Sequence, residues 1–236
     1  MRRTEQHIKL HRMVMIAAFC ALAYIAMLVF HIKVSFLTMD IKDAIIALCG
    51  LYFGPLAALA IAVIVPLLEF VTISDTWVYG LIMNILSSVV FSLTVSLFYR
   101  WKKTIWGAVC GLLSGVVLTT AVMLVANLLI TPLFMKTTVE VVKSLIPTLL
   151  LPFNLLKSVV NAGAVLLLYK PVKQALRKVG AFGAKTPAPE QEGQTPVASG
   201  YHVKTGILVS VAAVVLIAGA LILIFTVLGG QFFFGK

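Results

Sequence analysis

Runs of about twenty apolar residues constrain this chain more than any other feature. The hydrocarbon core of a bilayer is about 30 Å thick, so a helix needs roughly 20 apolar residues to cross it. A further apolar run over residues 43–53 predicts a helix too short to span alone, tilted or half-buried within the bundle. The long runs predict membrane helices over residues 13–32, 55–73, 77–99, 104–130 and 148–169.

Composition supports a membrane protein and excludes several soluble classes. Hydrophobic residues make up 61% of the chain and charged residues 11%, against about a quarter charged in soluble domains. The formal charge of +11 does not indicate nucleic-acid binding, because the bases are not interleaved with aromatic residues on an exposed face. The first apolar run continues past the cleavage-like triplet at residues 21–23, so it predicts a retained helix rather than a signal peptide.

Basic residues at the ends of the apolar runs predict the topology. They precede the first helix, fill the turn after the fourth and follow the sixth. Cytoplasmic loops carry the excess of Lys and Arg, so we expect these three stretches, and with them the N-terminus, in the cytoplasm. Six crossings that start inside place them there, and place the loops with Asp40, Asp75 and Glu140 outside. The bases are Arg2, Arg3, Lys9 and Arg12, then Arg100, Lys102 and Lys103, then Lys170, Lys173, Arg177 and Lys178.

The chain beyond the sixth helix divides into two further parts. The stretch GAFGAKTPAPEQEGQTPVASG is rich in Pro, Gly and polar residues without a period, which is typical of a flexible linker. Residues 205–230 form another apolar run without acid or base. We therefore predict a six-helix membrane domain over 1–179, a cytoplasmic linker over 180–204, and an additional transmembrane helix within 205–236 that serves as an anchor.

Polar residues inside the predicted membrane helices mark a candidate site. An ionised group at the bilayer centre costs about 3 kcal/mol or more, and two residues qualify, Glu69 and Lys157. Asn154, Lys157 and Asn161 recur at positions i, i+3 and i+7 and so share one helix face. An alternative role for such residues is interhelical hydrogen bonding without a ligand.

Further polar residues fall at the same predicted outer level. Asn84 and Asn127 lie near the outer ends of their helices, and the loop after the first helix adds Thr38 and Asp40. Trp77 and Tyr79 either contribute aromatic surface there or belong to an interfacial belt. Amides both donate and accept hydrogen bonds, so this level predicts an outward-facing pocket for a neutral, partly aromatic solute.

Two further patterns bear on mechanism. Ala17 and Ala21, four residues apart in the first helix, permit close helix approach, either within the bundle or against a partner. The sequence has no glycine-rich phosphate loop ending in Lys-Ser/Thr, no HExxH and no Gly-x-Ser-x-Gly, so we expect no enzymatic activity. Transport would then draw its energy from another polypeptide.

Several segments together resemble the S components of energy-coupling-factor (ECF) transporters, and within them the riboflavin-binding RibU type. The resemblance covers residues 12–178, and the linker and seventh helix fall outside it. Its carriers are the Ala17-xxx-Ala21 pattern, LTMDIKDAI, LYFGPLAAL, GLIMN, an Asn near the end of the fifth helix, and LLPFNLLKSVVNA followed by LLYKP.

This resemblance implies a bacterial membrane subunit that captures riboflavin, or FMN, from outside. It implies docking through Ala17 and Ala21 onto a transmembrane coupling protein of the EcfT type, driven by two cytoplasmic ATPases of the EcfA type. Riboflavin would be the transported substrate rather than a cofactor, and no cofactor is expected. Two alternatives stay open: the same fold capturing another vitamin or small metabolite, and a membrane scaffold without transport. The expected substrate-binding residues are Thr38, Asp40, Glu69, Asn84, Asn127, Asn154 and Lys157.

Overall fold

A computed structural model describes residues 2–74, 76–179 and 199–232. Within them the chain forms helices, one π-helical turn at Ile146–Leu150, and three short strands, β1 (Ile32–Val34), β2 (Leu37–Met39) and β3 (Gln231–Phe232). The helices are α1 (Arg2–Val29), α2 (Lys42–Phe53), α3 (Pro55–Thr72), α4 (Trp77–Trp101), α5 (Ile105–Met135), α6 (Val139–Leu145), α7 (Leu151–Lys178) and α8 (Ser199–Thr226).

Six stretches of the described residues are long and apolar enough to cross a membrane. They lie in α1, α3, α4, α5, the continuous α6 to α7 segment, and α8. Helix α2 has 12 residues, which at 1.5 Å per residue is too short to span, and most of its side chains are buried. The prediction of a six-helix bundle with a short, internal second helix and an appended seventh helix is therefore confirmed.

Small residues let α2 lie at the centre of the bundle. It packs against α1, α3, α4 and α7. Ala44 and Ala47 of α2 and Ala58 of α3 have no exposed surface. A Cβ at Gly50 would lie 1.9 Å from Ser96 Oγ, so this glycine is required for the close approach of α2 and α4. Membrane helices associate through such close contacts because lipid offers no hydrophobic driving force between them.

Several helix bounds differ from the predicted ones: α1 begins at Arg2, well before the predicted start at residue 13. Helix α5 continues past Pro132 to Met135, and α7 continues past Pro171 to Lys178, whereas the predicted helices end at residues 130 and 169. Each proline removes one backbone hydrogen bond, a loss that membrane helices tolerate. Helix α8 begins at Ser199, before the predicted start at 205, and the linker residues 180–198 lie outside the described part of the chain.

The sequence patterns did not predict the three strands. Strands β1 and β2 form an antiparallel hairpin over residues 32–39, with Ser35 in the left-handed region at φ 56°. Strand β3 pairs antiparallel with the other edge of β1. We call the end of the bundle that carries this hairpin the hairpin end. The opposite end, which carries Arg12, Arg100, Lys103, Lys173 and Arg177, is called the basic end.

Candidate functional site

A cavity of about 270 Å³ lies at the hairpin end of the bundle. The hairpin, α3, α4, α5 and α7 all contribute to its wall. We call this cavity the substrate pocket. Its polar lining includes Thr38, Glu69, Asn84, Asn127, Asn154 and Lys157, and its apolar lining includes Met83, Met123, Ile130, Phe134 and Phe153.

A buried network of charges supports one side of the pocket. Lys157 Nζ lies 3.0 Å from Asp40 Oδ2 and donates a hydrogen bond to the Thr38 carbonyl oxygen, also at 3.0 Å. Lys42 Nζ lies 2.7 Å from Asp40 Oδ2 and 3.2 Å from Glu69 Oε2. Asp40 therefore binds both ammonium groups and joins the hairpin to α2 and α7.

Electrostatics keep the Asp40 carboxylate ionised. Burial alone would raise the pKa of this fully buried carboxyl group. The charges and hydrogen bonds of Lys157 and Lys42 outweigh burial and hold its pKa below the ordinary value. In the same loop region, burial lowers the pKa of the His31 imidazole, which also lines the pocket. Burial alone thus favours the neutral form of His31, although the nearby carboxylates oppose it.

Side chains from α4 and α7 fix the beginning of α2 beneath the pocket. Asn161 Oδ1 accepts a hydrogen bond from the Ala44 backbone N–H at 2.8 Å, and its Nδ2 donates to the Asp40 carbonyl oxygen at 2.9 Å. Ser87 and Ser88 donate hydrogen bonds to the Asp43 carboxylate. The Asn161 amide oxygen thereby satisfies one of the backbone N–H groups that a helix start leaves unpaired, and the serines satisfy the Asp43 carboxylate. For Asn161, the structure thus shows the interhelical hydrogen bonding weighed from the sequence.

Two of the three asparagines of the pocket wall keep an unused acceptor for a ligand, whereas Asn127 Oδ1 already accepts a hydrogen bond from Thr131 Oγ1 at 2.9 Å. Asn84 Nδ2 donates to Glu69 Oε1 at 2.9 Å. Asn127 Nδ2 donates to the Met123 carbonyl oxygen, and Asn154 Nδ2 donates to that of Leu150, both at 2.7 Å. Within the described residues, the Oδ1 atoms of Asn84 and Asn154 accept no hydrogen bond, so each offers an acceptor to the pocket.

Three aromatic rings of the pocket lining lie close together. Phe134 of α5 lies between Phe36 of the hairpin and Tyr79 of α4, with ring centroids 6.2 Å from each. All three rings line the pocket. Trp77 is 75% exposed and does not line it, which fits the interfacial-belt alternative for this residue alone.

Six of the seven expected substrate-binding residues line this one cavity. Asp40 does not line it: it lies behind the wall and positions Lys157. The sequence interpretation missed Lys42, which has no exposed surface and pairs with the Glu69 carboxylate. The sequence feature that could have indicated Lys42 is the DIKD segment, where a lysine stands between two acids at the start of a helix expected to be buried.

The two alanines of α1 lie apart from the pocket. Phe19 and Ala23 of α1 are buried against the bundle, whereas Ala17 and Ala21 are exposed on another face. Their small side chains therefore do not serve close packing within the described bundle. This face can meet lipid or a partner helix.

The pocket can hold a small, flat, partly polar molecule. Its apolar and aromatic lining excludes water from a ring, while the amide and ammonium groups of the same lining can hydrogen-bond to ring edges or hydroxyl groups. Its volume is near the lower end of about 300 Å³ for ligand pockets. The buried charges are already paired, so a neutral ligand fits better than an ion.

Comparisons with known proteins agree with this geometry. Residues 11–169 match the family model described as the substrate-specific component of ECF transporters. The riboflavin transporter RibU of Staphylococcus aureus (strain TCH60) is 25% identical over 151 residues, which cover 61% of this chain and 79% of the relative. A solved S component of a bacterial ECF transporter superimposes with a TM-score of 0.61 at 24% identity, covering 70% of this chain and 97% of that one.

Proposed function

Because this chain belongs to the substrate-specific components (S components) of ECF transporters, we propose that riboflavin is the solute its pocket captures. The chain is thus a multi-pass membrane protein and the substrate-binding component of a transporter. Membership in this family displaces the hypothesis of a scaffold without transport. The proposal of riboflavin is supported by the similarity to a riboflavin transporter and by the character of the pocket.

One observation carries the choice of ligand: aromatic rings and amide and ammonium groups line the same cavity. The ring system of riboflavin has an apolar dimethylbenzene edge and a pyrimidinedione edge that both donates and accepts hydrogen bonds. Phe36, Tyr79 and Phe134 suit the flat apolar part. Asn127, Asn154 and Lys157 suit the polar edge or the ribityl hydroxyl groups.

The remaining expected residues have supporting parts in this proposal. Asn84 contacts the ligand while Glu69 orients its amide through the 2.9 Å hydrogen bond. Thr38 contributes through the hairpin, whose backbone is tied to Lys157. FMN adds a dianionic phosphate. The lining has two ammonium groups, Lys33 and Lys157, of which Lys157 is already paired with Asp40, and Glu69 adds a carboxylate to the same lining. We therefore propose that riboflavin binds more tightly than FMN.

We also propose the orientation and partners of the chain. The basic end would face the cytoplasm of a bacterial cell, with the pocket open to the outside. The exposed Ala17 and Ala21 face would dock onto an EcfT-type coupling protein driven by two EcfA-type ATPases. Ala21→Trp should then abolish uptake in cells while riboflavin binding by the purified protein stays within about twofold, since α1 is remote from the pocket. Leu22→Trp, on the same exposed side of α1, shows whether bulk alone has this effect.

A fluorescence titration of riboflavin with the purified protein tests the proposed ligand. Asn154→Ala should weaken binding about fivefold, and Lys157→Met about 30-fold, in line with the usual values for neutral and charged hydrogen bonds. Lys143→Met, which removes an exposed lysine of α6, is the matched control and should leave the affinity unchanged. No quenching at micromolar riboflavin, or equal affinity in all variants, would refute riboflavin capture by this pocket.

A further inference from the structure

A second cavity, of about 610 Å³, lies at the basic end of the bundle. Its lining includes five cationic side chains, and we call it the basic groove. Within the part of the chain that the structure describes, no carboxylate forms an ion pair with any of these cations. A concave surface that concentrates unpaired positive charge favours an anion. The five cations are Arg12 of α1, Arg100 of α4, Lys103 of the following turn, and Lys173 and Arg177 of α7.

Hydrogen bonds hold the residues around the basic groove in place. Tyr52 donates to the Tyr169 carbonyl oxygen, and the hydroxyl groups of Tyr99 and Tyr169 are 2.9 Å apart. Arg12 Nη2 donates to the Phe53 carbonyl oxygen at 2.6 Å, which fixes this guanidinium beside the end of α2. The groove is therefore a built concavity and not a set of independent surface lysines.

Neighbouring tryptophans indicate the level of the groove relative to a membrane. Trp101 is 87% exposed and Trp106 is 73% exposed, and they flank the turn that carries Lys103. Exposed tryptophans at helix ends are typical of the region where lipid headgroups meet hydrocarbon. The groove therefore lies at the level of the lipid headgroups, where the anion at hand is the phosphate of a lipid.

We propose that the basic groove binds the phosphate of an anionic phospholipid headgroup. Arg and Lys side chains from separate helices would surround the phosphate oxygens, as in other basic pockets between membrane helices. Binding would join the ends of α1, α4 and α7. This proposal does not depend on the identity of the transported solute.

Native mass spectrometry of the protein in mixed phosphatidylglycerol and phosphatidylcholine micelles tests the groove. We expect the protein to retain phosphatidylglycerol. In the double variant Lys173→Gln with Arg177→Gln, the amount of bound phosphatidylglycerol should fall about tenfold. The matched control, Lys102→Gln with Lys170→Gln, removes two exposed charges at the same end that do not line the groove. Equal losses in both double variants would show attraction by net charge and overturn the proposal. Displacement of the lipid by millimolar inorganic phosphate would also overturn it.

A different observation carries a second inference about the appended helix. Helix α8 packs along α7, with Ala213, Ala220 and Ile224 at most 4% exposed. A Cβ at Gly163 of α7 would lie 2.8 Å from Ile217 Cγ1, so the two helices approach closely at this glycine. The appended helix is thus a packed element of the described bundle and not only an anchor.

The same segment reaches the hairpin of the substrate pocket. Strand β3 pairs with β1 through Ile32 with Phe232 and Lys33 with Gln231. Beneath the strands, one apolar cluster joins the hairpin to both helices. The cluster consists of Ile32, Val34 and Met39 of the hairpin, Phe153 and Val160 of α7, and Ala220 and Ile224 of α8.

We infer that α8 and β3 form a C-terminal strap that restrains the hairpin over the substrate pocket. The hairpin contributes Phe36 and Thr38 to the lining, so its opening would control ligand exchange. A strap that adds a third strand and an apolar anchor makes opening less frequent. The part of this inference that concerns ligand exchange rests on the proposed function, whereas the restraint itself does not.

Hydrogen exchange of the hairpin amides, measured without ligand, tests the restraint directly. Truncation after Leu228 removes β3 and should speed exchange over residues 32–39 about tenfold. Truncation after Phe232 keeps β3 and is the matched control. Unchanged exchange after the shorter truncation would overturn the strap.

The dissociation rate of riboflavin separates this inference from the proposed function. Truncation after Leu228 should speed dissociation, and oxidation of Lys33→Cys with Gln231→Cys should slow it until a reductant is added, since directly paired residues lie within disulfide reach. If the amides exchange faster but riboflavin does not bind, the strap stands and the proposed ligand fails. If riboflavin binds to all variants and dissociates from them at the same rate, the strap does not control ligand exchange.

Discussion

The two ends of this bundle use cationic side chains in opposite ways. At the hairpin end, Lys42 and Lys157 are buried and ion-paired, and their contacts join β2, α2, α3 and α7. At the basic end, Arg100 and Lys103 are exposed and face other cations around a groove. The first arrangement builds a specific site, because each buried charge must have a defined partner. The second costs little to build and leaves the charge available for lipid and for membrane orientation.

The largest effect should come from Lys42→Met at the hairpin end. This change leaves Glu69 without its ammonium partner in a buried position and should reduce the free energy of unfolding by about 3–5 kcal/mol. Denaturant titration in detergent measures it. The double variant Lys42→Met with Glu69→Gln should recover part of the loss, and a loss equal to the sum of both single changes would show that the two residues are not coupled.

Asn161→Ala should have the next largest effect. It removes the acceptor of the Ala44 N–H and the donor to the Asp40 carbonyl oxygen, and leaving such groups buried costs about 2 kcal/mol. The same titration measures it. Gln174→Ala, at an exposed amide of the same helix, should cost almost nothing, and similar losses for both changes would mean that Asn161 has no special role at the start of α2.

Ser88→Ala should cost about 1 kcal/mol, because Ser87 still donates to the Asp43 carboxylate after this change. The control is Ser144→Ala, whose hydroxyl group donates to a carbonyl oxygen of its own helix on the exposed surface. Comparison of the two melting temperatures is sufficient. A shift no larger for Ser88 than for Ser144 would refute a stabilising role of this contact.

The smallest effect should come from Lys103→Gln at the basic end. An exposed cation without an ion partner contributes within about 0.5 kcal/mol to stability, so unfolding should be unchanged. Removing repulsion among the groove cations could only raise stability slightly. A loss comparable to that of Lys42→Met would erase the difference between the two ends.

Most of the membrane helices were predictable from the sequence, because the length of an apolar run reports directly on the thickness of hydrocarbon. The hairpin was not, since its strands have three residues each and its turn uses Ser35 at positive φ without a glycine or proline signal. The predicted ends at residues 130 and 169 were too early, because they followed the apolar runs, whereas α5 and α7 each continue past a proline, which membrane helices tolerate.

The pocket was largely predictable because intramembrane polar residues are costly and few. Asn127, Asn154 and Lys157 could be grouped by level along their helices. The partners of these groups could not, because the pairing of Lys157 with Asp40 spans 117 residues of sequence. Lys42 was missed for the same reason: the DIKD segment shows a lysine between two acids, but the pairing of Lys42 with Glu69 joins α2 to α3, which no local pattern reports.

The most direct test of riboflavin capture is to identify the small molecule that co-purifies with the protein from its membrane. The purified protein is first desalted and then denatured, and mass spectrometry identifies the small molecule that is released. The Lys157→Met protein is prepared in parallel. Our account predicts riboflavin bound to the unaltered protein and strongly reduced in the variant. A different molecule bound in equimolar amount, or riboflavin retained equally by both proteins, would contradict it.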